Sequence, residues 1–394
     1  MVEWKKLGEV CSLKARIGWQ GLTQKEHKTT GEYLLVTGTD FTANYGVDFD
    51  HCVYVDEERY TQDPNIQLRQ NDVLITKDGT LGKMAVIENL PKPATLNGGL
   101  FVIRDLTGKI HHKYLLHYML SSKFQSIIDS NHTNGTIKHL TQALLTNFPI
   151  PIPTLEIQLE IVRILDTFTA SIDNLKEQIA QRRKQYEYYR DQLLDLEGKE
   201  GVEMKLLSSI STIKVGPFGS LIHKKDYVSG GIPLVNPVQM NNGYIVRDDS
   251  FSVSEETAKL LESYTLYTGD VVFARRGEIG RCAIVTENES NFICGTGSLI
   301  VRFKDIINSK FMLFMFNTPY CKTYLLKSAV GGSMLNINCD IVGKMQIPVP
   351  PLSEQQRIVS ILDTFEASIQ NLEAQLSQRE KQYDYYRNKL LTFE

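Results

Sequence analysis

Hydrophobic residues recur at alternating spacings of three and four positions in two long stretches of the chain. In the first stretch they are Ile161, Leu165, Phe168, Ile172, Leu175, Ile179, Tyr186, Tyr189, Leu193 and Leu196. In the second they are Ile358, Leu362, Phe365, Ile369, Leu372, Leu376, Tyr383, Tyr386, Leu390 and Phe393. Only Arg182 and Arg379 interrupt the two patterns, at matching places. The spacing predicts two helices, each about 60 Å long, that pair through a coiled-coil seam.

The two helical stretches are copies of one another. Between 150–194 and 347–391, 28 of 45 positions are identical without a gap. Each copy opens on Ile-Pro-[Ile/Val]-Pro, whose prolines favour extended backbone before the helix, and Ser353 with Gln356 predicts a capping box in the second copy. We expect the helices to pair through Leu165, Phe168, Ile172, Leu175, Leu362, Phe365, Ile369 and Leu372.

Two less similar stretches alternate with these copies. The predicted division is a globular domain at 1–149, a helix at 150–196, a linker at 197–202, a second globular domain at 203–346 and a second helix at 347–394. Short β-branched runs, glycine turns and amphipathic helices in both globular stretches favour an α+β fold. The fold class is therefore two α+β domains alternating with two long helices that pair as a coiled coil, with an internal pseudo-two-fold axis.

Composition narrows the class of protein without identifying it. A chain of 394 residues with 42% hydrophobic residues suits two or more globular domains. No stretch is long and apolar enough for a membrane span, and the start lacks the apolar core of a secretory signal, so we expect a cytoplasmic protein. The six cysteines form no Cys-x-x-Cys pair, which favours reduced thiols over a metal site.

Catalytic motifs are absent from the repeated pattern. Only His223 lies in the second globular stretch, so no Ser-His-Asp arrangement can be common to both. Asn236-Pro237-Val238 resembles the start of an amino-methyltransferase motif, but Gln239 stands where that motif has an aromatic residue. No Gly-x-Gly-x-x-Gly cofactor loop is present. We therefore expect no catalytic residues, no bound metal and no cofactor.

Cationic residues beside two glycine turns are the candidate chemistry. A Gly-x-x-Gly turn at 79–82 has its counterpart at 277–280, and a second small-residue loop precedes each long helix. Because the net charge is −3, any DNA-facing charge has to be local. Lysine and arginine at such turns can contact phosphates or guanine edges, although a solvated hairpin and a helix C-cap turn are the alternative interpretations. The candidate DNA-binding residues are Lys77, Lys83, Thr136, Lys138, Arg275, Arg276, Arg281, Ser333 and Asn336.

The whole chain resembles the specificity subunit of type I restriction-modification systems. The resemblance lies in the duplication, the Ile-Pro-[Ile/Val]-Pro segments, and Gln-x-x-Ile-Val-x-Ile-Leu-Asp at 158–166 and 355–363. The Asp-Val strand with its glycine turn and the Gly-Gly-Ser…Leu-Asn-Ile loop at 331–337 also match the family's recognition domains. The first domain departs from that loop, with Gly135-Thr136-Ile137-Lys138 in its place.

The resemblance implies separate functions for the globular domains and the helices. Each globular domain would be a target recognition domain that reads one half of an asymmetric, bipartite site in double-stranded DNA. The antiparallel helices would hold the two halves at one spacing and dock two methyltransferase subunits, which restriction subunits then join. S-adenosylmethionine, ATP and Mg²⁺ would belong to those partners.

Two other functions remain open on the residues alone. One is a single-chain methyltransferase or nuclease, which methyl transfer by the isolated chain would favour. The other is a coiled-coil scaffold that binds only proteins. Sequence-specific binding of a bipartite duplex would exclude that scaffold.

Overall fold

The computed structural model describes residues 2–18, 21–130, 140–217, 221–331 and 335–393. The chain forms two compact units: unit 1 is Met1–Gln178 with Leu372–Glu394, and unit 2 is Ile179–Asn371. Each unit therefore contains one globular stretch and one half of each long helix. These units cut across the predicted helical segments 150–196 and 347–394.

Unit 1 has a mixed α+β fold. Its strands are β1 Glu3–Lys6, β2 Cys11–Lys14, β3 Tyr33–Val36, β4 Val53–Val55, β5 Val73–Thr76, β6 Met84–Val86, β7 Ala94–Leu96, β8 Leu100–Asp105 and β9 Pro149–Ile152. Its helices are α1 Leu7–Val10, α2 Glu57–Thr61, α3 His112–Met119, α4 Ser122–Ser130, α5 Gln142–Asn147 and the first half of α6 Leu155–Leu194.

Three sheets organise this unit. The largest is antiparallel with the order β2-β8-β5-β6, and a smaller one has the order β4-β3-β7 with β3 and β7 parallel. Every side chain of β5 is buried, because one face of the strand packs on α3 and the other on the smaller sheet. This explains why its sequence, Val-Leu-Ile-Thr, is continuously apolar until its last residue.

Unit 2 repeats the plan with different loops. Its strands are β10 Glu203–Leu206, β11 Ser211–Val215, β12 Tyr227–Val228, β13 Ile232–Val235, β14 Met240–Asn241, β15 Tyr244–Ile245, β16 Ser252–Val253, β17 Val271–Ala274, β18 Cys282–Ile284, β19 Ile293–Cys294, β20 Ser298–Phe303 and β21 Gln346–Val349. Its helices are α7 Leu207–Ile210, α8 Glu255–Leu260, α9 Ser309–Phe316, α10 Pro319–Ser328, α11 Cys339–Gly343 and the first half of α12 Leu352–Leu390. The main sheet order β11-β20-β17-β18 matches that of unit 1, and β13 and β19 pair in parallel as β3 and β7 do.

The proline-rich segments before the long helices are strands. In β9, Ile152 lies opposite Glu3 of β1, and in β21, Val349 lies opposite Glu203 of β10. The extended backbone expected of these prolines is present, but both segments are sheet-paired rather than free connectors. The predicted capping box at Ser353 is misplaced, because α12 already begins at Leu352.

The two long helices pair in antiparallel fashion within each unit. In unit 1, Leu165 and Ile172 of α6 lie in one core with Tyr383 and Leu391 of α12. Phe168 packs against that core and stacks on Tyr386, with 5.4 Å between the ring centroids. Burying a side chain of this size contributes about 1.5–3 kcal/mol, so the pairing is a substantial part of the unit's stability.

The hydrophobic core of unit 2 is completed in the same way by the other ends of the two helices. Leu194 of α6 and Leu362 of α12 share its core, and Phe365 stacks on Tyr189 at 5.5 Å. The remaining predicted pairing residues are half-buried on the same helices: Leu175 and Leu372 in unit 1, and Ile369 in unit 2.

A buried glutamine locks the start of each long helix to its globular domain. The Gln158 carboxamide accepts a hydrogen bond from the His111 amide at 2.8 Å and donates to the carbonyls of Lys109 and Pro153. Gln355 makes the same three bonds in unit 2, to the Asn308 amide and to the carbonyls of Ile306 and Pro350. These glutamines are the first residue of the repeated Gln-x-x-Ile-Val motif.

Replacement of Gln158 tests whether its hydrogen bonds stabilise the attachment of α6 to the globular domain. In Gln158→Leu, the partly buried His111 amide and Lys109 carbonyl and the buried Pro153 carbonyl lose this partner, so we expect the free energy of unfolding of unit 1 to fall by about 1–3 kcal/mol. Urea unfolding followed by tryptophan fluorescence reports on this unit, because Trp4 lies in β1 and the sequence of unit 2 contains no tryptophan. Gln178→Leu, the same change at an exposed position of α6 within unit 1, is the control. Equal stability of the two variants would contradict a stabilising role of the Gln158 hydrogen bonds.

Candidate nucleic-acid interface

The two Gly-x-x-Gly turns occupy the same place in the two units. Each joins the third and fourth strands of the main sheet, β5 to β6 in unit 1 and β17 to β18 in unit 2. Gly79 and Gly82 have φ of 70° and 77°, and Gly277 and Gly280 have φ of 74° and 87°. Side chains other than glycine rarely adopt such φ values, so the turn geometry requires glycine at both positions.

Arg275 stands at a junction of three loops in unit 2. Its amide bonds to the carbonyl of Gly297, and its carbonyl accepts from the amide of Ile337 at 3.1 Å. The first contact joins the glycine turn to the loop before β20, and the second joins it to the loop before α11. The predicted small-residue loop and the glycine turn therefore meet at one end of the main sheet.

The structure brings Arg275 and Asn336 together. Arg275 Nε donates to Asn336 Oδ1 at 3.3 Å, and the Asn336 backbone bridges to Arg276 and Val330. Burial, together with the neighbouring Arg276 charge, lowers the pKa of the Arg275 guanidinium. Since one guanidinium edge is held by Asn336, the orientation of the remaining N–H groups is restricted before any ligand binds.

The other cationic candidates of unit 2 differ in their freedom. Arg281 is held by Glu278, to which its Nε donates at 2.9 Å, and by the carbonyl of Pro237 at 3.3 Å. Arg276 is exposed, and within the described part of the chain its side chain has no hydrogen bond or ion pair. Pro237 belongs to the Asn236-Pro237-Val238 segment, which lies beside the glycine turn.

Lys77 is the counterpart of Arg275 in unit 1. Its amide bonds to the carbonyl of Gly99 at 2.9 Å and its carbonyl accepts from Leu140, the contacts that Arg275 makes with Gly297 and Ile337. The Lys77 ammonium lies over the Phe101 ring, 5.3 Å from its centroid. Lys83, the counterpart of Arg281, is exposed at the end of the turn.

Three candidate residues lie outside the described residues: Thr136, Lys138 and Ser333. The junction is therefore defined by Lys77 and Lys83 in unit 1 and by Arg275, Arg276, Arg281 and Asn336 in unit 2.

Comparison with known proteins supplies the family. The sequence profile described as the type I restriction modification DNA specificity domain matches twice, at residues 1–182 and 199–380. The chain belongs to this family. The resemblance of the sequence to type I specificity subunits is thereby confirmed. Each match begins at the globular domain of one unit and extends into the long helix that follows.

Relatives match over the full length of the chain. The Escherichia coli type I restriction enzyme EcoR124I/EcoR124II specificity subunit is 27% identical, covering 100% of this chain and 94% of the relative. The S subunit structure from M. genitalium covers 100% of this chain and 97% of that one, with a TM-score of 0.57 and 16% identity. A structure titled for complex assembly and conformational transition of the type I R-M system covers 99% and 96%, with a TM-score of 0.62 and 17% identity. These structural matches confirm the fold class of alternating α+β domains and paired helices.

The family motif Gln-x-x-Ile-Val-x-Ile-Leu-Asp is structural in this specificity subunit. Asp166, its last residue, accepts hydrogen bonds from Lys113 at 3.1 Å and from His117 at 2.9 Å. Burial alone would raise the pKa of Asp166, but these bonds outweigh it and the pKa lies below its ordinary value. Asp363 pairs with Lys310 at 2.7 Å in unit 2. The motif therefore docks each long helix on its own globular domain, and its presence in both copies was the available sequence signal.

An aspartate–arginine pair in each main sheet was also not predicted from the sequence. Asp72, the aspartate of the Asp-Val strand, accepts two bonds from the Arg104 guanidinium at 2.7 and 2.6 Å. Asp270 and Arg302 repeat this arrangement at 2.8 and 2.7 Å. Because the pair recurs at equivalent places in the two main sheets, we infer that it stabilises the sheets. No helix among the described residues is long and apolar enough to cross a membrane.

Glu366 connects the second recognition domain to both helices. It accepts hydrogen bonds at 3.2 Å from Tyr244, on the β14–β15 hairpin, and from Tyr186 of α6. Burial raises the pKa of Glu366 above its ordinary value, although the nearby Lys310 charge opposes the shift. The folded protein therefore holds this proton more tightly than the unfolded chain does.

This shift has a defined sign for stability. Because the folded state binds the Glu366 proton more tightly, the contribution of Glu366 to stability is greatest below pH 4.5 and falls as the pH rises through the raised pKa. We expect Glu366→Gln, which keeps an acceptor for one tyrosine and offers an N–H donor to the hydroxyl of the other, to be more stable than the parent at about pH 8, with the difference shrinking toward pH 4.5. Thermal unfolding across this range measures it. A difference that is constant with pH would contradict the assignment.

Proposed function

We propose that this specificity subunit reads an asymmetric, bipartite site in double-stranded DNA, one half through the junction at Lys77 and the other through the junction at Arg275. The observation that carries the proposal is the contrast between the two units. Their backbones meet at equivalent three-loop junctions, yet the side chains differ: Lys77 and Lys83 on one side, Arg275 and Arg281 on the other. Equivalent loops with unequal side chains would read unequal half-sites.

The chemistry of the junction supports base recognition in unit 2. Arginine presents a planar fork that matches O6 and N7 of guanine, whereas lysine acts as a point charge toward phosphate. Arg275, oriented by Asn336, suits the first role, and the exposed Arg276 and Lys83 suit contacts to phosphate. The net charge of −3 fits a complex in which partner subunits supply part of the phosphate clamp.

We further propose that the subunit is non-catalytic and acts in the cytoplasm as the assembly centre of a restriction-modification complex. Two methyltransferase subunits would dock on the helices, and restriction subunits would join them. The partners would bring S-adenosylmethionine, ATP and Mg²⁺, and the methyltransferases would extract adenine from the duplex. The helices, identical at 28 of 45 positions between the copies, would serve both halves of the complex alike.

The target is accessible to a genome-wide measurement. Methylation-sensitive sequencing of the host genome, with and without this gene, should reveal one methylated bipartite motif that depends on the gene. A motif with two unequal halves and a spacer of one length is expected. Unchanged methylation on deletion would contradict the proposal.

Arg275→Ala tests the reading of one half-site. With the methyltransferase complex and duplexes changed in one half at a time, we expect a loss of about 1–3 kcal/mol confined to the half read by unit 2. Lys77→Ala should affect only the other half. Lys259→Ala, an exposed cation of unit 2 away from the junction, is the matched control. Equal loss for both halves, or none, would remove the junction from the interface.

The rival enzymatic function has its own test. The isolated chain, incubated with radiolabelled S-adenosylmethionine and unmethylated target DNA, should transfer no methyl group. Addition of the methyltransferase subunit should start transfer. Methyl transfer by the chain alone would overturn the non-catalytic assignment.

A further inference from the structure

One face of the long helices is identical in the two copies at positions that the seam does not explain. These are the residues immediately before each seam position between 167 and 188. All seven match their counterparts: Thr167/Thr364, Ser171/Ser368, Asn174/Asn371, Gln178/Gln375, Gln181/Gln378, Gln185/Gln382 and Tyr188/Tyr385. Most of these side chains are exposed, so packing of the helices against each other does not require their identity.

The face on the other side of the seam has diverged. Of the residues immediately after the same seven seam positions, one pair, Arg190/Arg387, is identical and the other six differ: Thr169/Glu366, Asp173/Gln370, Lys176/Glu373, Ala180/Ser377, Arg183/Glu380 and Glu187/Asp384. Common origin of the two copies would leave both faces equally alike. A constraint other than ancestry therefore acts on the face that precedes the seam.

The two faces lie on opposite sides of the helix pair. Lys176 and Glu380, which both follow seam residues, form an ion pair at 3.8 Å in unit 1. Residues that follow the seam on both helices thus meet on one side. Residues that precede it on the two helices of a unit, such as Thr167 and Tyr385 of unit 1, therefore lie on the other side.

On this side of the helices, each unit carries one cluster of aromatic residues and an arginine, which we call the aromatic cassette. In unit 1, Arg379 lies over the Phe168 ring at 5.7 Å and donates to Gln382 at 3.1 Å, while Tyr386 stacks on Phe168 and packs edge-on against Tyr385. In unit 2 the same contacts join their counterparts, with distances of 5.9 Å and 3.2 Å for the arginine: Arg182, Phe365, Gln185, Tyr189 and Tyr188. The two arginines that interrupt the hydrophobic seam belong to these cassettes.

The chemistry of the cassette is that of a protein-binding surface. Tyr188 and Tyr385 are 58% and 59% exposed, and tyrosine and arginine dominate binding energy at protein interfaces. The seven matched positions carry no charge, which argues against a phosphate backbone as the ligand. Two surfaces of the same composition, one in each unit, suit a partner that is present twice and binds both in the same way.

We propose that each aromatic cassette is the docking surface for one methyltransferase subunit. This inference rests on the proposed function, in which each half-site is served by its own methyltransferase. The partner would present an uncharged polar and apolar surface that packs on Tyr188 and Tyr189 in unit 2, and on Tyr385 and Tyr386 in unit 1. Because the cassettes have the same geometry, the two sites should have similar affinity.

Single and double variants test the assignment. In Tyr188→Lys and Tyr385→Lys, a charge replaces an exposed ring that makes no core contact, so the chain should fold normally. Native mass spectrometry with excess methyltransferase subunit should show two bound copies for the parent, one for each single variant and none for the double variant. Titration should show a loss of about tenfold or more at the altered site.

Matched controls occupy the opposite face. Ala180→Lys lies in unit 2 and Ser377→Lys in unit 1, both exposed and both after seam residues, and both should bind two copies. If the parent chain binds no methyltransferase at all, the proposed function itself fails. If the parent binds two copies and the tyrosine variants also bind two, only the docking surface is overturned. Loss of both copies from one single variant would equally overturn it.

Discussion

Burial of aromatic and aliphatic side chains between antiparallel halves of α6 and α12 is the interaction on which the structure depends. The core of unit 1 includes Tyr383 and Leu391 from the far end of the chain, and that of unit 2 includes Leu194 and Leu196. Neither globular stretch closes its core with its own long helix alone. Each unit therefore completes its core with residues from both long helices.

Polar contacts give this pairing its specificity. Gln158 and Gln355 fix where each helix leaves its domain, and Asp166 and Asp363 hold the next two turns through lysines of α3 and α9. Hydrophobic stripes alone allow a helix pair to slide by one heptad, since neighbouring turns look alike. Buried hydrogen bonds that only one position can satisfy remove that freedom.

Equivalent positions at the helix–domain contacts of the two units carry different residues. His117 of unit 1 contacts Tyr383 and Asp166, whereas Phe314 is the equivalent residue of unit 2 and is buried in the core. In unit 2 the equivalent tyrosine, Tyr186, instead donates to Glu366. Outside the helices the loops diverge further, while the sheet order and the three-loop junction are kept. Divergence is thus greatest where a different DNA sequence would have to be read, and least on the shared helices.

Much of this architecture follows from local signals in the sequence. The three-four spacing determines the helices, the prolines determine the extended segments before them, and the paired glycines determine the turns, because each acts within a few residues. The duplication also indicated that the helices pair. Other features depend on residues far apart in sequence. These are the strand pairing of the proline segments, the partners of Gln158 and Asp72, and the contribution of both long helices to each unit.

The same holds for the junction: the charges of Arg275 and Arg281 are visible in the sequence, but only the fold places Asn336 against one and Glu278 against the other. Whether a cation faces solvent or is already paired is decided by tertiary contacts, since the sequence specifies its charge and the fold its neighbours.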